Sequence, residues 1–345
     1  MSVAPDVLLP PVAGLMRSDN DATPDLPTSE ASGHRPVLLH PLIQSLQPKP
    51  GHTVVDGTLG AGGITAALAE RVLPGGRVVA IDRDPAAVAA GRARFAHLGD
   101  AVAIEHGDFA ELDTILARRG ISAVDAVTLD LGISSLQLDD PGRGFSFRFD
   151  GPLDMRFDPR GGSPTAADIV NRWPEEELAE LIRAYGEESF ARPIAASIGR
   201  ARRERPIATT TDLRQCVERA IPRRHWPKRI HPATKTFQAL RIEVNHELES
   251  LRAGMQAAIR SIRPGGRLGV IAFHSLEDSL LRHSLHVAAQ NCLCPPQQPI
   301  CTCAHRASLF LLTRKAIRAD ASEIAGNPRS RSARLRVAQK LDGEA

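Results

Sequence analysis

Acidic residues close a succession of short apolar runs in the first half of the chain. VVDGTLGAGGI ends one run at Asp56 and continues through Gly60, Gly62 and Gly63. Glycines there permit a tight turn and close approach of the backbone to a ligand, which a Cβ would block. An acid at Asp56 would repel phosphate, and no GxxxxGK[ST] is present to hold a nucleoside triphosphate, so a cationic or amino-bearing ligand suits the turn better. AIDRD ends the next run at Asp82, twenty residues after Gly62, where a carboxylate accepts both hydroxyls of a ribose. NAD and S-adenosylmethionine share that ribose. Thr65 in place of the last glycine of GxGxxG, together with Asp56, favours S-adenosylmethionine. HGDF ends the third run, so Asp108 by hydrogen bond and Phe109 by ring packing would reach an adenine. TLDLG ends the fourth and puts Asp130 at the mouth of the sheet, where open α/β folds bind ligands. An acid at that position can accept a hydrogen bond from an exocyclic amine and take its proton, making Asp130 the first catalytic candidate. Each of these acids taken singly also reads as a helix cap or turn residue; four in order are much harder to obtain by accident.

Other chemistry-bearing residues are more ambiguous. Asp139 and Asp140 share the loop after Asp130 and either assist there or cap a turn before Pro141. His274 and Ser275 end a later strand on the same side of the sheet as Asp130. Ser275 with Asp278 three residues on reads as a helix N-cap, while His274 remains open as a base or RNA contact. Phe145, Phe147 and Phe149 alternate, as base-stacking rings or as a strand packing on the core. CLCPPQQPICTC supplies Cys292, Cys294, Cys301 and Cys303 as two CxC pairs. Four thiolates can close a tetrahedral zinc site, although common zinc ribbons use CxxC, and reduced loop thiols are the default reading. Cys216 reads as a small buried apolar residue.

The elements that must position these residues follow from the hydrophobic pattern. Strands are expected at Thr53–Thr58, Arg77–Asp82, Ala101–His106 and Val124–Leu131, with helices at Ile64–Val72, Pro85–Ala96 and Ala110–Arg119 between them. Such alternation implies a parallel sheet with right-handed crossovers. It stops after Leu131. A Gly- and Phe-rich loop (Gly142–Gly162) and helical segments such as Pro174–Tyr185 follow, and alternation resumes with strands at Arg267–His274, Ser308–Arg314 and Arg334–Lys340 and a helix at Leu276–Ala289. The fold expected is α/β, Rossmann-like, a mostly parallel seven-stranded sheet with helices on both faces, interrupted by a helical insertion. The expected division is a disordered N-terminal extension at 1–33, a cofactor-binding domain at 34–140 and 263–345, and the insertion at 141–262.

The chain has 345 residues and a net charge of only +3, but the charge is unevenly placed. Between Ala191 and Lys235 twelve Lys and Arg face three acids, and between Arg314 and Lys340 eight face two. Two such clusters favour a polyanionic partner over a merely solvated face. No stretch is long and apolar enough for a membrane span and no signal peptide is evident, which points to a cytoplasmic enzyme with reduced thiols.

These residues resemble the RsmH (MraW) family. The resemblance runs from His34 to Leu341 and is carried by DGTLGAGG (Asp56–Gly63), AIDRDP (Ala80–Pro85), LDLGISSLQLDDPGRGFSF (Leu129–Phe147), DGPLDMR (Asp150–Arg156), HPATKTFQALRIEVNHELE (His231–Glu249), PGGRL (Pro264–Leu268), FHSLED (Phe273–Asp278) and NPRSRSARLR (Asn327–Arg336). It implies a class I, S-adenosylmethionine-dependent methyltransferase acting on the N4 amine of a cytosine in 16S ribosomal RNA, cytosine 1402 in the P-site region of the decoding centre. The partner it implies is the 16S RNA or the small ribosomal subunit. It leaves the oligomeric state open, a dimer being one arrangement. By the resemblance the cofactor contacts fall on Gly62, Gly63, Ile64, Asp82, Phe109, Asp130 and Gln137. Family members often carry His where this chain has Ile64, which leaves a backbone contact there. Two alternatives stay open: an amino-methyltransferase acting on DNA or another RNA, and an RNA-binding assembly factor without turnover.

Overall fold

The computed structural model describes residues 36–342, Pro296 and Pro299 excepted. The N-terminal extension expected at 1–33 lies outside the described residues. Helix α1 (Leu39–Leu46) precedes β1 (Thr53–Asp56), after which α2 (Gly63–Val72), β2 (Arg77–Asp82), α3 (Pro85–Phe95), β3 (Val102–His106), α4 (Leu112–Arg118) and β4 (Val124–Asp130) alternate. A short α5 (Ser135–Asp139) leads into α6 (Ala166–Arg172), α7 (Glu175–Gly186), α8 (Ala191–Glu204), α9 (Thr210–Ala220) and α10 (Thr234–Asn245), with no strand between them. The chain then forms α11 (Glu247–Ser261), β5 (Ile262–Ala272), α12 (Ser275–Ala288), β6 (Leu309–Leu311), α13 (Ala321–Gly326) and β7 (Arg334–Lys340).

The seven strands lie in the order β3-β2-β1-β4-β5-β7-β6. All neighbours are parallel except β7, which runs antiparallel to both β5 and β6. This is the Rossmann-like α/β sheet expected. The chain winds outward from β1 on one side and resumes at β4 on the other, so the crevice between β1 and β4 is the topological switch point at which open α/β sheets bind ligands. Val54 and Val55 of β1 and most of β4 are buried, as continuous apolar runs of β-branched residues must be when helices cover both faces of a parallel sheet. One face packs on α1, α2 and α3 through Leu42, Leu46, Leu68, Val72 and Phe95. The other packs on α4, α11 and α12 through Leu112, Leu116, Leu251, Met255 and Leu281.

Helices α6 to α10 build a core of their own around Ile169, Leu178, Ile182, Ile194, Leu213 and Leu240. Capping boxes open α6 (Thr165 with Asp168) and α9 (Thr209 with Asp212), each stabilising its helix by about 1 kcal/mol. Phe145 and Phe147 from the Gly- and Phe-rich loop join this core. Phe145 stacks on Phe157 with ring centroids 5.6 Å apart, and Phe147 meets Phe237 edge-on at 5.0 Å. The alternating phenylalanines therefore form no strand, and only Phe149 of the three turns its ring to solvent, at 53% exposure.

Three expectations need correction. The insertion expected to run to residue 262 ends its own core at α10; α11 packs Leu251, Met255, Ala257 and Ala258 into the sheet core instead. Pro174 is the N-cap of α7, with Glu175 to Glu177 forming the first turn, where their charge meets the positive end of the helix dipole. The strand expected at Arg267–His274 begins at Ile262, which pairs with Val124, and stops at Ala272 because His274 is drawn into capping α12.

Candidate active site at the carboxyl edge of the sheet

The carboxyl ends of β1, β2 and β4 bring three of the anticipated acids to one edge. Asp56 is fully buried; its Oδ2 accepts the Thr65 hydroxyl at 2.6 Å and its Oδ1 the Thr58 N–H at 3.2 Å. Burial raises this carboxyl to about 7, against the opposing pull of those two hydrogen bonds. Asp82 at the end of β2 accepts the Gly60 N–H and the Asp84 N–H, both at 2.8 Å, and burial raises it to about 6. Asp130 differs from both. Its Oδ1 is buried with no hydrogen-bond partner, and burial, reinforced by the charges of Asp56 and Glu277, pushes the carboxyl well above its usual range. Asp56 and Asp130 flank the switch point from adjacent strands, so a cation placed there would meet two carboxyls that ionise in its presence. That orphaned oxygen suits a ligand that is positively charged and carries N–H donors, as S-adenosylmethionine does.

The glycine turn beside Asp56 is shaped as much by the protein as by any ligand. Gly60 and Gly62 have φ of +51° and +78°, in the left-handed region that disfavours other residues. A Cβ on Gly62 would lie 2.9 Å from the Phe95 ring, and one on Gly63 would run into Pro36. Ile64 is buried in the core under α2, so what it offers the turn is backbone. Asp108 accepts the Ala110 N–H at 2.9 Å and the Ser250 hydroxyl at 2.8 Å, while the Phe109 ring lies over Gly254 of α11. One face of that ring is thereby occupied by protein.

Gln137 is buried on α5 and both ends of its side chain are engaged. Its Oε1 accepts the Ser134 N–H at 3.1 Å and its Nε2 donates to Asp84 Oδ2 at 3.0 Å. Arg143 Nη1 reaches the same Asp84 oxygen at 2.7 Å and Nη2 donates to the carbonyls of Arg156 and Phe157. Asp84, which also caps α3, thus joins the end of β2 to the loop leading into the helical core. Asn245 makes a second tie: it accepts the Phe157 N–H at 2.7 Å, donates to the Met155 carbonyl at 2.8 Å, and its own carbonyl accepts from Arg83 at 2.6 Å. Sequence reasoning passed over Asp84, Arg143 and Asn245. The AIDRDP and DPGRGF stretches contained the signal for the first two, an acid before a helical proline and an arginine within a glycine turn.

His274 and Asp139 are placed differently from each other. His274 caps α12: its Nδ1 accepts the Glu277 N–H at 3.4 Å and its Nε2 lies 3.0 Å from Glu277 Oε1. Burial alone would raise Glu277, but His274 and Arg241 outweigh it and hold this carboxyl below its usual range. Ser275, read from sequence as the cap, is the first helical residue and bonds Glu187 of the segment between α7 and α8. Asp278 pairs instead with Arg334 at 3.0 Å and Arg336 at 2.7 Å. Asp139 is largely exposed and faces Arg329 at 3.2 Å, whereas Asp140 caps the turn Pro141–Arg143 by accepting the Gly142 N–H at 2.8 Å.

The basic run of the helical segment divides into structural and exposed members. Arg202 donates to the carbonyls of Val170 at 2.8 Å and Trp173 at 2.7 Å, closing the end of α6, and Arg205 pairs with Asp212 at 2.5 Å. Arg223, Arg224, Lys228 and Arg229 lie exposed between α9 and α10. The Arg223 guanidinium sits 4.6 Å over the Trp226 ring, and nearby His231 packs on Phe147 at 4.8 Å.

A protein-family comparison matches residues 31–341 of this chain to the MraW methylase family. The ribosomal RNA small subunit methyltransferase H of Syntrophotalea carbinolica is 47% identical over 314 residues, covering 91% of this chain and 100% of its own length. The protein of that name from Thermomicrobium roseum is 51% identical over 308 residues, covering 89% of this chain and 94% of its own. Among solved structures, an rRNA methylase from Streptococcus thermophilus aligns with 88% of this chain and 94% of its own, at a TM-score of 0.39 and 11% identity. With its acid-lined switch point and a family match that spans the sheet and the helical segment alike, the chain belongs to the MraW methylase family.

Proposed function

We propose that the protein transfers the methyl group of S-adenosylmethionine to the N4 amine of a cytosine in 16S ribosomal RNA, as free RNA or within the small subunit. The observation that carries this reading is the buried, unpartnered Asp130 Oδ1 beside Asp56 at the switch point. The relatives' names supply the RNA; the N4 position rests on the resemblance and on the chemistry of this acid. When bound, S-adenosylmethionine supplies an electrophilic methyl on a sulfonium. Asp82 would hold the ribose hydroxyls, and Asp56, fixed by Thr65 and Thr58, would balance the positive charge. An exocyclic amine is a poor nucleophile because its lone pair is delocalised into the ring. An acceptor that hydrogen-bonds the amine turns that pair outward and takes the proton released as the N–C bond forms. Asp130 is suited to this role because burial raises its affinity for a proton well above that of an ordinary carboxylate. His274, engaged with Glu277, is a positioning residue: the pair keeps a negative charge near Asp130. The helical segment (141–262, less α11) would present the RNA through Arg223, Arg224, Lys228 and Arg229, with Phe149 as the ring available for stacking.

Tritium transfer from labelled S-adenosylmethionine to small subunits from a strain lacking this protein, followed by nucleoside analysis, tests the proposal. Labelled N4-methylcytosine is expected. Label at another position, or in DNA alone, overturns the substrate. Calorimetric binding of S-adenosylmethionine without any transfer points to an RNA-binding factor.

A further inference from the structure

Twenty residues connect α12 to β6 (289–308), and the described part of this connection forms neither helix nor strand. A connection of this length needs something to hold it. Apolar burial does not serve here, because Leu293 and Ile300 are 44% and 74% exposed. The base of the loop is tied by ordinary hydrogen bonds, His305 Nε2 to the Val287 carbonyl at 2.9 Å and Ser308 N–H to the Ala288 carbonyl at 2.8 Å. Farther out, four cysteines converge. The sulfurs of Cys292, Cys294, Cys301 and Cys303 all lie within 4.8 Å of one another. Cys292 to Cys301 is 3.5 Å, Cys301 to Cys303 3.6 Å and Cys303 to Cys292 3.8 Å.

Those separations discriminate between two chemistries. A disulfide requires sulfurs about 2.05 Å apart. Four thiolates at about 2.3 Å from a central zinc, arranged as a tetrahedron, must be about 3.8 Å from one another. The three distances match the second geometry. The backbone agrees: the N–H groups of Leu293, Cys294 and Thr302 donate to the sulfurs of Cys303, Cys292 and Cys294 at 3.3, 3.4 and 3.4 Å. Donors aimed at sulfur stabilise the thiolate and orient it toward a metal. Each CxC pair supplies two ligands from one short turn, and the two turns face each other across the loop.

We propose that Cys292, Cys294, Cys301 and Cys303 bind one structural Zn2+ as four thiolates, closing the connection between α12 and β6. The site is coordinatively full, so the metal's role there is to fold the loop and not to activate water. Binding displaces the thiol protons to solvent, so zinc affinity falls with acid.

The test uses the full chain as purified, dialysed against metal-free buffer. Elemental analysis is expected to give one zinc per chain. Replacing zinc with Co2+ should produce the visible ligand-field bands and the near-ultraviolet thiolate-to-cobalt band of a tetrahedral tetrathiolate site. Cys303→Ser should shift those bands toward three-sulfur coordination, and removal of zinc should speed tryptic cleavage after exposed Arg306 several-fold. The cobalt spectrum of the unaltered chain needs no variant to fold. Protein that is purified without zinc and takes up neither Zn2+ nor Co2+ while its four thiols remain titratable would overturn the proposal, as would a non-reducing peptide map showing these cysteines paired as disulfides.

Discussion

At the residue scale the site is defined by acids whose proton affinity is raised. Asp82 stands at about 6 and Asp56 at about 7, both because burial disfavours the charged form. For a carboxyl raised on folding, the stability it contributes is present below the unfolded value of about 4 and is lost as pH rises through the folded value. The ligand-free protein should therefore lose stability as pH climbs from about 4 through about 6 and about 7. A cationic ligand selects the ionised forms, so S-adenosylmethionine should bind more tightly across the same interval and release protons as it does. Calorimetry near pH 6 in two buffers of different ionisation enthalpy measures that release; identical heats would remove these acids from the binding site. Asp130→Asn keeps the shape but cannot take a proton. It should slow methyl transfer at least about 100-fold while changing cofactor affinity less than about tenfold, a split that single-turnover and binding measurements resolve.

At the element scale, the junction between the sheet and the helical core depends on a few buried polar ties. Asp84 is 2% exposed and has Arg143 as its cation. Arg143→Ala leaves that buried carboxylate with neutral donors only, the Gln137 amide and the Ala86 N–H, which should cost about 3–5 kcal/mol and appear as a markedly lower melting temperature. Arg160, 63% exposed and paired with Asp158, is the internal comparison: its removal should cost under about 1 kcal/mol. Equal losses in the two variants would mean that the Asp84 tie does not hold the junction. The same tie explains why Gln137, expected from the resemblance to contact the cofactor, has its side chain engaged by Ser134 and Asp84: it fixes α5 against the end of β2.

At the scale of the whole molecule, charge placement matters more than the net charge of +3. The loop between α9 and α10 exposes Arg223, Arg224, Lys228 and Arg229, whereas Arg202 is spent on the carbonyls of α6. Reversing the four exposed charges should weaken RNA binding and reduce the slope of log affinity against log salt by roughly 3, since each phosphate contact contributes about 0.7 for single strands. Titrations at several salt concentrations give that slope, and an unchanged value would move the RNA face elsewhere. Charge reversal at Arg202 should instead lower the melting temperature, because two helix-end carbonyls lose their donor.

The amino-acid sequence by itself determined the alternation of β1 to β4 with α2 to α4, the acids that close β1, β2 and β4, and Asp108 just past β3, because periodicity and residue type act over a few neighbours. It also placed the helical interruption and the two CxC pairs. Tertiary structure alone decided which partners those acids have. Asp108 meets Ser250 across 142 positions, and Asp84 meets Arg143 across 59. It likewise decided that α11 serves the sheet, that His274 and not Ser275 caps α12, and that Asp130 keeps an oxygen without a partner. Such pairings follow from the order in which strands lie side by side and from which helix covers which face, and no local spacing encodes either.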